Sequence, residues 1–172
     1  DEMVNFAIEN LPHACCLVPE KRNELTTEGG LNLIGNKSIL QNISKLKKVG
    51  ISCSVFLDPD INQIQIASEL GVDAIEIHTG KYCDARENEE ILAELEKIKV
   101  SAKYAKSVGL EVHAGHGLNY HNVSEIAKII EITELNIGHF IIGEAIFSGI
   151  EIAIKKMRKI IDDARVMSFQ WL

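Results

Sequence analysis

No stretch of this 172-residue chain approaches the ~20 consecutive apolar residues that a helix needs to span a bilayer, and no signal-peptide pattern opens it. A cytoplasmic protein with no membrane partner is the expectation. Surplus positive charge is also lacking: 18 Lys and Arg stand against 25 Asp and Glu, interspersed, for a formal net charge of −7. Nucleic acid is therefore not an expected partner, and a phosphate-bearing ligand would have to find local positive potential. The four cysteines, Cys15, Cys16, Cys53 and Cys83, form no Cys-x-x-Cys pair and read as buried thiols of a reducing compartment. What is present, 46% hydrophobic and 25% charged residues, suffices for one domain with a real core over residues 1–172.

Hydrophobic periodicity divides the chain into alternating strands and helices. Residues 2–9 read as the middle of an amphipathic helix, and Asp1 stands where an initiator Met would, so further sequence upstream is expected. Strands are expected at 13–18, 51–57, 73–78, 110–114 and 134–138. Helices are expected through Ile39, Ile43 and Leu46, from Ile61 to Gly71 behind an Asp58-Pro59-Asp60 cap, at 88–108, at 122–131 and at 150–164, with a short apolar segment at 140–147. The joints Val49-Gly50-Ile51, Leu70-Gly71-Val72 and Val108-Gly109-Leu110 repeat almost unchanged, each stopping a helix at glycine and starting a strand. Such alternation implies an α/β fold with a parallel sheet and right-handed crossovers. Neither G-x-G-x-x-G nor a P-loop follows a strand, which disfavours an open nucleotide-binding sheet and favours a TIM (β/α)8 barrel. Five strands are legible where a closed barrel needs about eight.

Three segments carry candidate chemistry. Alternation along 73–78 puts Ile75 and Ile77 on one face and Ala74, Glu76 and His78 on the other, so Glu76 points into the barrel as an ion-pair member or a poised acid–base group. His78, before Thr79-Gly80, stands at the strand end where barrels place function, or braces the loop there. Ala114-Gly115-His116-Gly117-Leu118 presents one imidazole between two glycines, suited to carrying protons near neutral pH; the plainer reading is a turn whose histidine caps the next helix. Asn136-Ile137-Gly138-His139-Phe140 follows the last strand and opens a short helix, the place where barrels bind phosphate. A metal centre built from Glu76, His113, His116, His121 and His139 has weak support, because no H-E-x-x-H or leading H-x-H occurs.

Read together, Cys16-Leu17-Val18-Pro19-Glu20-Lys21-Arg22, Thr26-Thr27-Glu28-Gly29-Gly30, Ile75-Glu76-Ile77-His78-Thr79-Gly80, Ala114-Gly115-His116-Gly117-Leu118 and Glu134-Leu135-Asn136-Ile137-Gly138-His139 resemble the pyridoxine 5'-phosphate synthase family, in order and along nearly the whole chain. That resemblance implies a (β/α)8 barrel with extra helices, assembled as a homo-octamer and needing no metal or organic cofactor. It implies condensation of 1-deoxy-D-xylulose 5-phosphate with 3-amino-2-oxopropyl phosphate, releasing inorganic phosphate and water. By motif, His116 resembles the proton donor and Glu76 the carboxylate that stabilises cationic, imine-like transition states. Thr26 matches a contact to the deoxyxylulose phosphate, Gly117, Gly138 and His139 match contacts to the amino-oxopropyl phosphate, and residues 20–30 resemble a closing lid. Two departures stand out: Glu144 occupies a position that is commonly basic, and the family's first three strands, with further catalytic groups, have no counterpart here. A barrel of about five C-terminal β/α units, inactive alone, is the corresponding expectation. A non-catalytic binder of phosphometabolites is the alternative from a different functional class.

Overall fold

The computed structural model describes residues 2–19 and 29–169. Its centre is a parallel sheet in chain order, β1 (Ala14–Leu17), β2 (Ser52–Leu57), β3 (Ala74–His78), β4 (Glu111–Gly115) and β5 (Ile132–Asn136). Consecutive strands lie side by side in register: Val55 pairs with Ile75, Glu76 with both Phe56 and His113, and Gly115 with Asn136. One sheet face carries Val55, Leu57, Ile75, Ile77 and Val112, all fully buried beneath helices. Burying such a side chain contributes roughly 1.5–3 kcal/mol. The opposite face holds Phe56, Glu76, His113 and Asn136.

Eight helices are described: α1 (Glu2–Asn10), α2 (Lys37–Lys48), α3 (Ile61–Glu69), α4 (Gly80–Asp84), α5 (Asn88–Ser107), α6 (Val123–Ala127), α7 (His139–Ser148) and α8 (Ile150–Phe169). The buried stripe of α2 (Ile39, Ile43, Leu46) is the one expected from periodicity, and α5 buries Leu95, Ile98, Ala102 and Ala105 with Ile91 half-buried on the same stripe. Gly50, Gly71 and Gly109 end their helices with φ of 81°, 69° and 88°, a left-handed conformation that favours glycine. The result is five consecutive β/α units of an α/β fold, the kind from which a TIM barrel is built.

Several boundaries and burials differ from expectation. The helix expected at 122–131 stops at Ala127, and β5 starts at Ile132 rather than 134. Between them the chain turns so that Ile129 and Ile132 enter the core, and Arg165 of α8 donates to the carbonyls of both. An irregular register follows between Val112 and His113, where the Thr133 hydroxyl lies 3.2 Å from the Val112 carbonyl. α8 runs five residues beyond the expected 164, and the short α4 was not foreseen. The cysteines are not uniformly buried: Cys53 is, Cys15 and Cys83 are half-buried, and Cys16 is exposed because β1 is an edge strand of the described sheet. The expected Asp58-Pro59-Asp60 cap of α3 forms through Asp60, which accepts from the N–H groups of Asn62 at 2.7 Å and Gln63 at 3.3 Å. Asp58 is thereby left for another purpose. Among the described residues no helix is long and apolar enough to cross a membrane.

Candidate active site

All five strands send residues to one end of the sheet, where Val18, Phe56, Glu76, His116 and Asn136 line a cavity of about 520 Å³ together with Gly117 and the segment 137–140. Five expected site residues thus meet: Glu76 from β3, His116 and Gly117 from the turn after β4, and Gly138 and His139 from the start of α7. Thr26, with the rest of 20–28, lies outside the described residues. His113, His116, His121 and His139 do not converge: His113 lies down the sheet between Glu111 and Glu134, at 3.5 Å from each, and His121 is exposed. Among the described residues no three His, Cys, Asp or Glu side chains cluster as a metal set.

Glu76 projects from the half-buried position that alternation requires of it. Asn136 donates to its Oε2 at 2.9 Å, and the Cys16 thiol lies 3.8 Å from the same oxygen. Burial pushes the Glu76 carboxyl above its ordinary range, against the Asn136 hydrogen bond and the nearby His113. Space for it depends on Gly115, where a Cβ would stand 2.4 Å from Glu76 Oε1 and 2.8 Å from the Asn136 carbonyl oxygen. Nothing local marks Asn136 as the partner of Glu76; strand register brings the two together. Asn136→Leu would leave the carboxylate without its donor, so its carboxyl should titrate at still higher pH in a carbon-13 NMR titration. An unchanged titration would show that Asn136 does not govern Glu76.

His116 has a φ of 81°, a conformation rarely adopted by residues with a side chain, and its backbone is held accordingly. The Thr79 hydroxyl sits 2.8 Å from the Gly115 carbonyl oxygen and 2.6 Å from that of His116, while the Cys83 thiol donates to the latter at 3.5 Å. Gly117 also has a φ of 81°, and a Cβ there would come within 2.8 Å of Cys83 Cβ. Burial and the neighbouring His78 lower the His116 pKa, Asp84 opposes them, and His139 adds to the lowering. The helix-cap reading of His116 is not what forms: Asn122 occupies the cap of α6, and its side chain bonds Asn119 N–H and the Gly117 carbonyl.

At the far wall, Gly138 begins α7 with a φ of −103°, and His139 is its first helical residue. Phe140 packs edge-on to Tyr120, with ring centroids 4.7 Å apart, and Lys156 of α8 covers Tyr120 at 4.1 Å. No Lys or Arg among the described residues lines the cavity, so the N-terminus of α7 is its main electropositive feature. Glu144, farther along α7, does not line it. The arrangement offers a half-buried carboxylate, an imidazole of lowered pKa and a helix N-terminus bordered by glycine.

The family profile described as pyridoxal phosphate biosynthesis protein PdxJ matches residues 1–163. A pyridoxine 5'-phosphate synthase of Sulfurihydrogenibium sp. is 56% identical over 165 residues, covering 95% of this chain and 68% of that protein. Those of Zymomonas mobilis and Caulobacter vibrioides are 54% identical over 166 residues and 51% over 170, each covering 96% of this chain and respectively 64% and 67% of the relative. The chain thus spans about two thirds of the length of these curated relatives. Because the match runs through all five strands and every described segment lining the cavity, the chain belongs to the PdxJ family of pyridoxal phosphate biosynthesis proteins.

Proposed function

We propose that the protein carrying this chain is a pyridoxine 5'-phosphate synthase, which joins 1-deoxy-D-xylulose 5-phosphate to 3-amino-2-oxopropyl phosphate and closes the pyridine ring with loss of phosphate and water. The relatives' shared name supports this reading, and one observation carries it: Glu76, His116 and the Gly138-His139 helix start face a single cavity at the C-terminal ends of the strands. His116 is the proton donor. When a hydroxyl leaves the carbon allylic to an enamine, the nitrogen pair forms a C=N bond and the C=C pair shifts toward that carbon. The C–O pair goes to oxygen, and a proton from the His116 imidazolium makes the departing group water. A lowered pKa makes that imidazolium the stronger acid. Positive charge grows on the conjugated nitrogen in the same step, and the ionised Glu76, poorly solvated, stabilises it more than an exposed carboxylate could.

Phosphate from the amino-oxopropyl substrate docks on the first-turn N–H groups of α7, which have no partners within the helix and carry about half a positive charge. Gly117 and Gly138 let it approach the backbone, and His139 adds a ring nitrogen. Thr26 contacts the other phosphorylated substrate in the same proposal. A cytoplasmic location and a homo-octameric assembly complete it, the latter checked by light scattering.

Assay of the purified protein that carries this chain, rather than of the 172-residue segment alone, tests the reading with both phosphates, pyridoxine 5'-phosphate being followed by chromatography. Turnover is expected; binding of both substrates without turnover would replace it by the phosphometabolite binder. Glu76→Gln should lower kcat by about 10²–10³-fold, the scale on which a group stabilising transition-state charge acts. The same variant should melt higher at neutral pH. The folded-state pKa of Glu76 is raised, so its favourable contribution is full below the unfolded value and is lost as pH rises through the folded one. Glutamine removes that loss, and the advantage should disappear in acid.

A further inference from the structure

Asp58 and His78 lie behind His116, unclaimed by the chemistry above. His78 is 5% exposed, its Nδ1 is 2.9 Å from Asp58 Oδ1, and its ring packs against Phe56 and His116 with centroids 5.0 and 4.8 Å away. The ring meets His116 edge to face, at an interplanar angle of 65°. Asp58 Oδ1 also accepts the Gly30 N–H at 3.2 Å, and Leu31 N–H donates to the Phe56 carbonyl at 2.8 Å. Burial pushes the Asp58 carboxyl up, yet the His78 and Gly30 hydrogen bonds with the charges of His78 and Lys81 outweigh it and hold the group below its ordinary range. An ionised carboxylate only accepts. His78 Nδ1 is therefore the donor in its bond to Asp58.

The other ring nitrogen, Nε2, is buried and has no hydrogen-bond partner among the described residues. It abuts Gly80, where a Cβ would stand 2.5 Å from His78 Nε2 and 3.1 Å from His116 Cδ2. Leaving a buried polar atom unpaired destabilises the fold, a penalty that an apolar ring in the same place would avoid. A carboxylate fixing the tautomer and orientation of one imidazole, set against a second imidazole in a cavity, is how outer partners tune a functional group.

We propose that Asp58 and His78 form a positioning dyad, in which Asp58 fixes the His78 ring and that ring holds the His116 imidazole in its place in the cavity. The dyad is an addition to the proton-donor role of His116 and rests on that reading only for its kinetic consequences. Groups facing His116 are His78 from β3, Asp84 from α4 and His139 from α7; Asp58 and Lys81 act through His78. His78→Phe keeps a ring of similar bulk but removes both the bond to Asp58 and the charge that lowers the His116 pKa.

In nitrogen-detected NMR of the substrate-free protein, His78→Phe should therefore move the His116 titration midpoint to higher pH. Asp58→Asn, which keeps the side-chain shape without the charge, should also change that titration. Both variants should lower kcat about 10–100-fold with KM within about twofold, the scale seen for outer partners of functional imidazoles. Gly80→Ala, which wedges a methyl between the two rings, should lower kcat likewise. Circular dichroism identifies which variants are folded. An unmoved His116 titration in a folded His78→Phe or Asp58→Asn variant overturns the dyad, as does a kcat loss matched by the loss of folded protein. Since the titration needs no turnover, it tests the dyad separately from the proposed reaction.

Discussion

Replacing His116 by glutamine is expected to reduce kcat by about 10²–10⁴-fold, the range ascribed to a positioned acid or base, while binding of both phosphorylated substrates persists. Glutamine nearly preserves the volume and a hydrogen-bonding tip, so the loss would report the missing transferable proton rather than a collapsed cavity. The pH profile supplies the sharper signature. A proton donor works only while protonated, so kcat/KM should fall as pH rises through the His116 pKa. Burial and His78 hold that pKa below the ordinary imidazole value, so the fall should begin at lower pH than for an exposed histidine. In the variant this limb should vanish. A limb that survives would assign it to another group and remove His116 from the role of proton donor.

Gly115→Ala should damage both stability and rate. The added carbon would stand 2.4 Å from Glu76 Oε1 and 2.8 Å from the Asn136 carbonyl oxygen, both far inside van der Waals contact. The first neighbour can swing away; the second is backbone of the strand paired to Gly115 and cannot. Overpacking of this kind costs roughly 1–3 kcal/mol. For a chain of this size that corresponds to a melting temperature lower by about 2–10 °C. Glu76 would lose its place against Asn136, and the Gly115 carbonyl that accepts from Thr79, the residue gripping His116, would shift as well. A displacement of about 1 Å at a reacting group can cost on the order of 10² in rate, so kcat should fall at least that far. Calorimetry and steady-state kinetics on the same preparation check both halves. Wild-type values for both would show that the sheet accommodates the methyl and that Gly115 does not set the Glu76 position.

Much of the molecule was legible before any coordinates. Period-two alternation correctly separated Ile75 and Ile77, both fully buried, from Glu76 on the other face, and the glycine joints marked where helices give way to strands. Motif position relative to strand ends marked His116 and Gly138-His139 as neighbours of one cavity. The misplaced features share a cause. The end of α6 and the start of β5 depend on Arg165 reaching back more than thirty residues to take two carbonyls, and nothing local in 122–134 announces that. The Asp58-Pro59-Asp60 run reads as a helix cap, and Asp60 supplies it; the Asp58 acceptor oxygen is instead occupied by His78 and Gly30, twenty residues ahead and twenty-eight behind.

By itself, then, the sequence determined the order of the β/α units, the face on which each strand residue lies and the family to which the chain belongs. These follow from local period and local motif, which each segment carries within itself. Only the tertiary structure decided which side chain meets which: Asn136 with Glu76 across sixty residues, Thr79 with the strained His116 backbone, and His78 between Asp58 and His116. Such pairings depend on the register of every strand against its neighbour, and register is settled by the packing of all the helices at once, a property of the assembled sheet rather than of any stretch of chain.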